Sequence, residues 1–142
     1  MIVILEDSFG TLWVGTNFGG LNKFDRKTEK FSYSSLNSIS AIYEDSQRNL
    51  WVADYFSGLN LVDHDKGIVI TNYNQKDGLV SNFILEILED DHNNLWIGAE
   101  NGLSKFNTKT NYFRNYYKED GLPDWLIVET IFSKGPDGKM YF

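Results

Sequence analysis

One twelve-residue pattern recurs three times along the chain, and this recurrence limits the fold more than any other feature. Ile4-Leu5-Glu6-Asp7 followed by Leu12-Trp13-Val14-Gly15 returns as Ile42-Tyr43-Glu44-Asp45 with Leu50-Trp51-Val52-Ala53. It returns again as Ile87-Leu88-Glu89-Asp90 with Leu95-Trp96-Ile97-Gly98. The Glu-to-Trp interval is seven residues in every copy. A Gly-Leu pair follows each Trp, at Gly20-Leu21, Gly58-Leu59 and Gly102-Leu103. The tail from Pro136 to Phe142 is a weaker fourth copy, with Tyr141 in the Trp place. The periods are 38, 45 and 45 residues. A unit repeated at such a period is one supersecondary element that buries its apolar faces only by stacking on its neighbours.

Each repeat predicts four short strands. The first strands are 2–6, 39–44 and 83–89, and the second are 12–15, 50–53 and 95–98. The third are 21–24, 59–62 and 103–106, and the fourth are 30–33, 68–73 and 112–116. Ser, Asn, Asp and Gly cluster between them, as tight hairpins require. The apolar runs are too short and Gly too frequent for helices. A sheet with one wet face alternates apolar and polar residues. Here Ile2-Val3-Ile4-Leu5, Leu12-Trp13-Val14 and Phe83-Ile84-Leu85-Glu86-Ile87-Leu88 carry apolar residues in both phases. Both faces of the first two strands must then be covered, which four-stranded antiparallel sheets stacked around an axis achieve. The fold class is therefore all-β, with β-propeller blades over 1–36, 37–80 and 81–123 and a partial blade over 124–142. About three and a half blades do not close a ring. The chain is expected to be a piece of a larger ring, or to find partners that cover its open faces.

Charge and composition narrow the partners. The net charge is −7 with no Lys/Arg cluster, which disfavours nucleic acid and anionic membrane surfaces. The absence of Cys removes disulfides, thiolate catalysis and zinc–thiolate sites. No apolar run reaches bilayer-spanning length. Met1 to Asp7 has neither a basic region nor a cleavage site, so no secretory signal is expected there.

The residues that could carry chemistry are mostly structural by position. Trp13, Trp51 and Trp96, with Leu21, Leu59 and Leu103, occupy repeated places in apolar strands and are expected to pack between blades. The Glu6-Asp7, Glu44-Asp45 and Glu89-Asp90 pairs resemble an acid–base couple for glycoside hydrolysis. Strand neighbours point to opposite faces, however, and a catalytic site is not copied per blade, so the Asp is read as a turn former. Asp90-Asp91-His92-Asn93-Asn94 lacks the spacing of a calcium loop. His64 and His92 lie in separate polar loops and are read as surface residues, with no metal site and no cofactor expected. No nucleophile elbow or phosphate loop is present.

The segment from Ile4 to Asp25, with its Glu-Asp, Leu-Trp-Val-Gly-Thr, Gly-Gly-Leu-Asn and Phe-Asp elements, resembles the two-component regulator propeller repeat. Asp77-Gly78-Leu79 and Asp120-Gly121-Leu122 match the tripeptide that leads into its next copy. Ala53-Asp54 replaces the usual Gly-Thr, Ser34 to Ser38 lacks the Asp-Gly-Leu, and the last copy lacks both Glu-Asp and Trp. The resemblance implies part of the periplasmic sensor region of a hybrid two-component system, with no catalysis in this segment and a carbohydrate-like signal.

Strand direction alternates within a blade, so second-to-third-strand hairpins and inter-blade links share one propeller face. That face is expected to collect Asn17, Phe18, Asp54, Tyr55, Phe56, Glu100 and Asn101, together with Lys76-Asp77, Glu119-Asp120, Asp124 and Trp125. Aromatic rings flanked by carboxylates and amides suit an oligosaccharide or a peptide. Two other functions stay open: an interaction scaffold that self-associates through its blade faces, and a fragment of a propeller lyase or glycosidase.

Overall fold

The computed structural model describes residues 1–123 and 133–141. Three four-stranded antiparallel sheets follow one another, each with its strands in chain order. The first holds β1 (Ile2–Glu6), β2 (Leu12–Thr16), β3 (Gly20–Asp25) and β4 (Lys30–Tyr33). The second holds β5 (Ile39–Glu44), β6 (Leu50–Asp54), β7 (Gly58–Val62) and β8 (Val69–Tyr73). The third holds β9 (Ile84–Glu89), β10 (Asn94–Ala99), β11 (Gly102–Asn107) and β12 (Tyr112–Tyr116). A short hairpin of β13 (Ser133–Lys134) and β14 (Met140–Tyr141) carries the fourth copy of the pattern. The expected strands are all present, with ends displaced by one residue or left unchanged. Phe83 stays outside β9 because its ring and carbonyl belong to the inter-blade link described below.

The sheets are blades of a partial propeller, and the apolar double phase explains their stacking. Leu50, Val52 and Val62 of the second sheet meet Trp13 and Leu21 of the first in one core. Trp51, Ala53 and Leu59 turn to the opposite face and meet Ile84, Ile87, Leu95, Ile97 and Phe106 of the third. Every residue of β6 is accordingly buried. By contrast Ile2 and Ile4 are 68% and 65% exposed on the outer face of β1, which no described sheet covers.

The Gly of each Gly-Leu pair answers a specific demand. Gly20 and Gly58 take φ of +66° and +89° where the chain turns into the third strand. A side chain at Gly20 would meet the Leu36 carbonyl, and one at Gly58 the Tyr73 carbonyl. Both positions therefore need the left-handed backbone and the missing Cβ together.

The Glu-Asp pair proves to be a two-part joint. Asp45 Oδ1 accepts the N–H groups of Gln47 and Asn49 at 2.9 and 2.8 Å, closing the β5–β6 turn, and Oδ2 accepts the Trp51 indole N–H at 2.8 Å. Asp7 does the same with Phe9, Thr11 and Trp13. Asp90 does it with His92, Asn94 and Trp96. One carboxylate thus fixes both the hairpin and the rotamer of the blade's largest core side chain. The Glu reaches across to the preceding blade. Glu44 accepts the backbone N–H and hydroxyl of Ser8, and Glu89 those of Ser46. In the fourth copy Lys134 stands in the Glu place and pairs at 2.8 Å with Asp91, which stands in the Ser place. A cation replaces the Glu and an anion replaces the neutral Ser, so the joint is kept as an ion pair.

Candidate functional site

Five of the six carboxylates that sequence alone offers as acid–base pairs are spent on this joint. Each Asp faces its own turn, Glu44 and Glu89 face the preceding blade, and Glu6 lies exposed beside Arg26 at 3.2 Å, so no pair converges on a common cleft. Burial pushes the Asp7 carboxyl up, but hydrogen bonds from Trp13, Thr11, His64 and Phe9 outweigh it and hold the group below the ordinary value. Asp90 follows the same balance, with Trp96, Asn94 and His92 as donors. Groups held ionised by donated hydrogen bonds are structural anchors and poor general acids. Asp90-Asp91-His92-Asn93-Asn94 is a capped hairpin, as its spacing indicated.

The loop face assembles in part. The β6–β7 hairpin and both described inter-blade links interlock there. Tyr55 N–H donates to the Ser38 carbonyl, and Glu100 N–H to that of Phe83. The Tyr55 and Phe83 rings stack at 4.0 Å with their planes 12° apart. Phe83 is thus part of the aromatic surface, although sequence assigned it to a strand. Phe18 and Phe56 stand out beside these loops, 86% and 66% exposed. Asn17 and Asn101 are exposed at hairpin tips, and Glu100 accepts the Ser81 hydroxyl at 3.2 Å. Burial raises the Tyr55 hydroxyl above its ordinary value, so it stays a hydrogen-bond donor.

Asp54 needs correction as a ligand-binding residue. It is 1% exposed. One oxygen accepts the N–H groups of Asn37 and Ser38, and the other those of Phe56 and Ser57. The carboxylate clamps the hairpin onto the link and has nothing left to present. Asp77 and Asp120 are exposed, but each accepts the N–H that opens a 3-10 turn, at Asn74 and Tyr117. The Gly of each Asp-Gly-Leu then takes a left-handed φ, and Leu79 is buried behind it. The tripeptide is a link-forming device. Lys76 and Glu119 remain exposed, while Asp124 and Trp125 lie outside the described residues.

Two residues escaped the sequence reading. His64 is not a free surface group: Nδ1 lies 3.0 Å from Asp7 of the neighbouring blade. The separation of 57 positions hid that contact. Glu86 is the other. It stands in β9 opposite Gly98, at the repeat position held by Val3 and Ala41 in the other blades. Burial raises its carboxyl above the ordinary value, the only such rise among the described carboxyls. A lone Glu within Ile84-Leu85-Glu86-Ile87-Leu88 was the available signal. The raised value means that folding favours the protonated form, so stability from this group is present in acid and lost as pH rises through its folded value. Glu86→Gln is expected to raise the melting temperature at neutral pH and to leave it unchanged in acid below the Glu range. Thermal melts of both proteins under the two conditions check this.

The geometry defines a partial β-propeller whose cores between adjacent blades, holding Trp13 and Trp51, are closed and whose polar and aromatic groups gather on the loops. Residues 1–18, 33–56 and 78–101 match the family model for the two component regulator propeller. Each of the three four-stranded sheets thus carries a stretch that matches this repeat. It is similar to the extracellular domain of the putative hybrid two component system BT3049 from B. thetaiotaomicron, at 25% identity and a TM-score of 0.82, over 98% of this chain and 20% of that one. It is also similar to the extracellular domain of the putative one component system BT4673 from B. thetaiotaomicron, at 25% identity and a TM-score of 0.81, over 96% and 20%. The chain thus spans about a fifth of these two domains. Virginiamycin B lyase from Staphylococcus aureus shares the fold at 16% identity and a TM-score of 0.74, over 98% of this chain and 47% of the lyase. No curated protein sequence matches.

Proposed function

We propose that this chain is part of the extracytoplasmic, periplasmic propeller with which a hybrid two-component sensor detects a carbohydrate, and that the segment itself catalyses nothing. The observation that carries the reading is the pairing of three regulator-propeller repeats with a loop face of exposed rings beside amide and carboxylate groups. The similarity to extracellular domains of two-component systems supports the setting. Rings such as Phe18 and Phe56 offer flat apolar surface to a sugar, while Asn17, Glu100 and Asn101 supply hydrogen bonds to its hydroxyls. Against the lyase and glycosidase alternative stands the use of Asp7, Asp45 and Asp90 in turns and of Glu44 and Glu89 in blade joints, which leaves no Glu-Asp pair facing a common cleft.

The test is a panel of neutral and acidic oligosaccharides titrated into the protein, read by backbone chemical shifts. A saturable response confined to Phe18, Tyr55, Phe56, Glu100 and Asn101 is expected from at least one glycan. Silence at these residues across the panel, repeated in a chain with every blade of its ring, would refute the carbohydrate assignment.

The self-association reading keeps one observation of its own. The outer face of β1 exposes Ile2 and Ile4 beside Glu6. Within the described joints the blade-spanning Glu takes a Ser with a free N–H and a hydroxyl. A second copy stacked head-to-tail would offer Pro136 at that place, which has neither. This face suits a blade with a Ser-bearing turn better than the chain's own last copy.

A further inference from the structure

We propose that Asp7, Glu44 and His64 form a binding site for a divalent transition cation of the zinc class at the joint between the first two blades. A carboxylate oxygen of Asp7, one of Glu44 and a ring nitrogen of His64 all lie within 4.8 Å of one another. They come from two blades and from three separate segments, the β1–β2 turn, the end of β5 and the β7–β8 hairpin.

The ring orientation is what singles this cluster out. His64 Nε2 faces the carbonyl of Arg48 in the β5–β6 turn. The repeat shows which partner donates. Arg26 occupies the equivalent place in the first blade, and its Nε donates at 3.1 Å to the equivalent carbonyl, that of Gly10. Nε2 of His64 therefore carries a hydrogen directed at an oxygen, and Nδ1 is turned toward the two carboxylates. A metal-binding imidazole is held in this way, with the distal N–H donated to a backbone carbonyl and the other nitrogen presented to the ion.

The carboxylates are also fixed before any ligand arrives. Asp7 is locked by its turn and by the Trp13 indole, and Glu44 by the N–H and hydroxyl of Ser8. Each retains lone pairs beyond those bonds. Zinc takes N and O ligands at about 2.0–2.2 Å in a tetrahedron, which sets ligand atoms about 3.3 Å apart. His64 and Asp7 already approach this at 3.0 Å, so a small movement of Glu44 completes three corners and leaves the fourth for water. A cleft of about 260 Å³ lined by Phe9, Asn49 and His64 borders the imidazole. One imidazole with two carboxylates favours zinc, cobalt or nickel over magnesium and calcium, which seek six or more oxygens.

The second joint supplies an internal comparison. Asp45 and Glu89 repeat the carboxylate pair there, but Thr108 stands in the place of His64. One site per chain is therefore expected, and it would tie the first blade to the second.

The experiment titrates zinc, magnesium and calcium salts separately into the protein by calorimetry, with the ring-nitrogen signals of His64 followed by NMR. Zinc alone should bind with one-to-one stoichiometry and shift the His64 Nδ1 signal. Both His64→Gln and Glu44→Gln should weaken binding at least about tenfold, and His92→Gln should not. Gln at position 44 still accepts from Ser8, so circular dichroism should show that variant folded. Zinc binding that survives His64→Gln, or an unmoved His64 ring signal in the unmutated protein at millimolar zinc, overturns the proposal.

Discussion

Replacing Trp51 by alanine is expected to destabilise the protein by about 3–5 kcal/mol, the largest effect of any single truncation in the described core. Trp51 is 3% exposed and sits where the second and third blades meet. Its ring lies edge-on to Phe106 at 5.9 Å and tilted to Tyr73 at 6.2 Å. Phe106 in turn stacks on Phe113 at 4.2 Å. Removing the indole empties a cavity lined from two sheets, and neither sheet can collapse into it without breaking its own ladder. It also leaves one oxygen of Asp45 without its indole donor. Denaturant unfolding of the purified variant measures the loss. Trp96→Ala should cost clearly less, because Trp96 is only half-buried on the outward side of the third blade.

Asp45→Ala is expected to cost about 3 kcal/mol, nearly as much, although the residue is neither apolar nor large. Three bonds from two backbone N–H groups and the Trp51 indole disappear together, and a fourth from the Asn49 amide with them. The indole N–H is then buried with no acceptor, which carries the full penalty of an unsatisfied donor. Asp45→Asn separates the two parts of the joint. Its oxygen can still close the turn, but its amide group would face the indole N–H donor to donor. That variant should recover part of the loss, and one as unstable as Asp45→Ala would place the whole effect in the indole bond. Equilibrium unfolding of the three proteins side by side decides this.

These two residues also show what could be read in the chain and what could not. The Trp period, the four strands per repeat and the turn role of Asp are local, since each partner lies within about one hairpin of the next. They were legible from spacing alone. The Glu of each pair was not. Its partner Ser lies 36 or 43 positions away on the preceding blade, and nothing near Glu44 in sequence names Ser8. Asp54 failed for a related reason. A hairpin carboxylate reads as exposed, yet the link of the adjoining blade folds over it and consumes both oxygens. Tyr55 could be placed on the loops from topology, but its stacking partner Phe83 could not, because an aromatic at the head of an apolar run scores as strand. In general, contacts within a repeat were visible, and contacts between repeats, where the candidate face is assembled, required the structure.

The division of labour between closed cores and open loops can be tested in one comparison, using whichever glycan of the panel gives the strongest response. Binding and unfolding stability are measured together for Phe56→Ala and for the unmutated protein. Phe56 is exposed, so its removal should change stability by less than about 0.5 kcal/mol. It should weaken glycan binding about tenfold, as loss of a contact worth about 1.4 kcal/mol requires. Undiminished binding by a fully stable Phe56→Ala protein would contradict the account and move the ligand off the loop face.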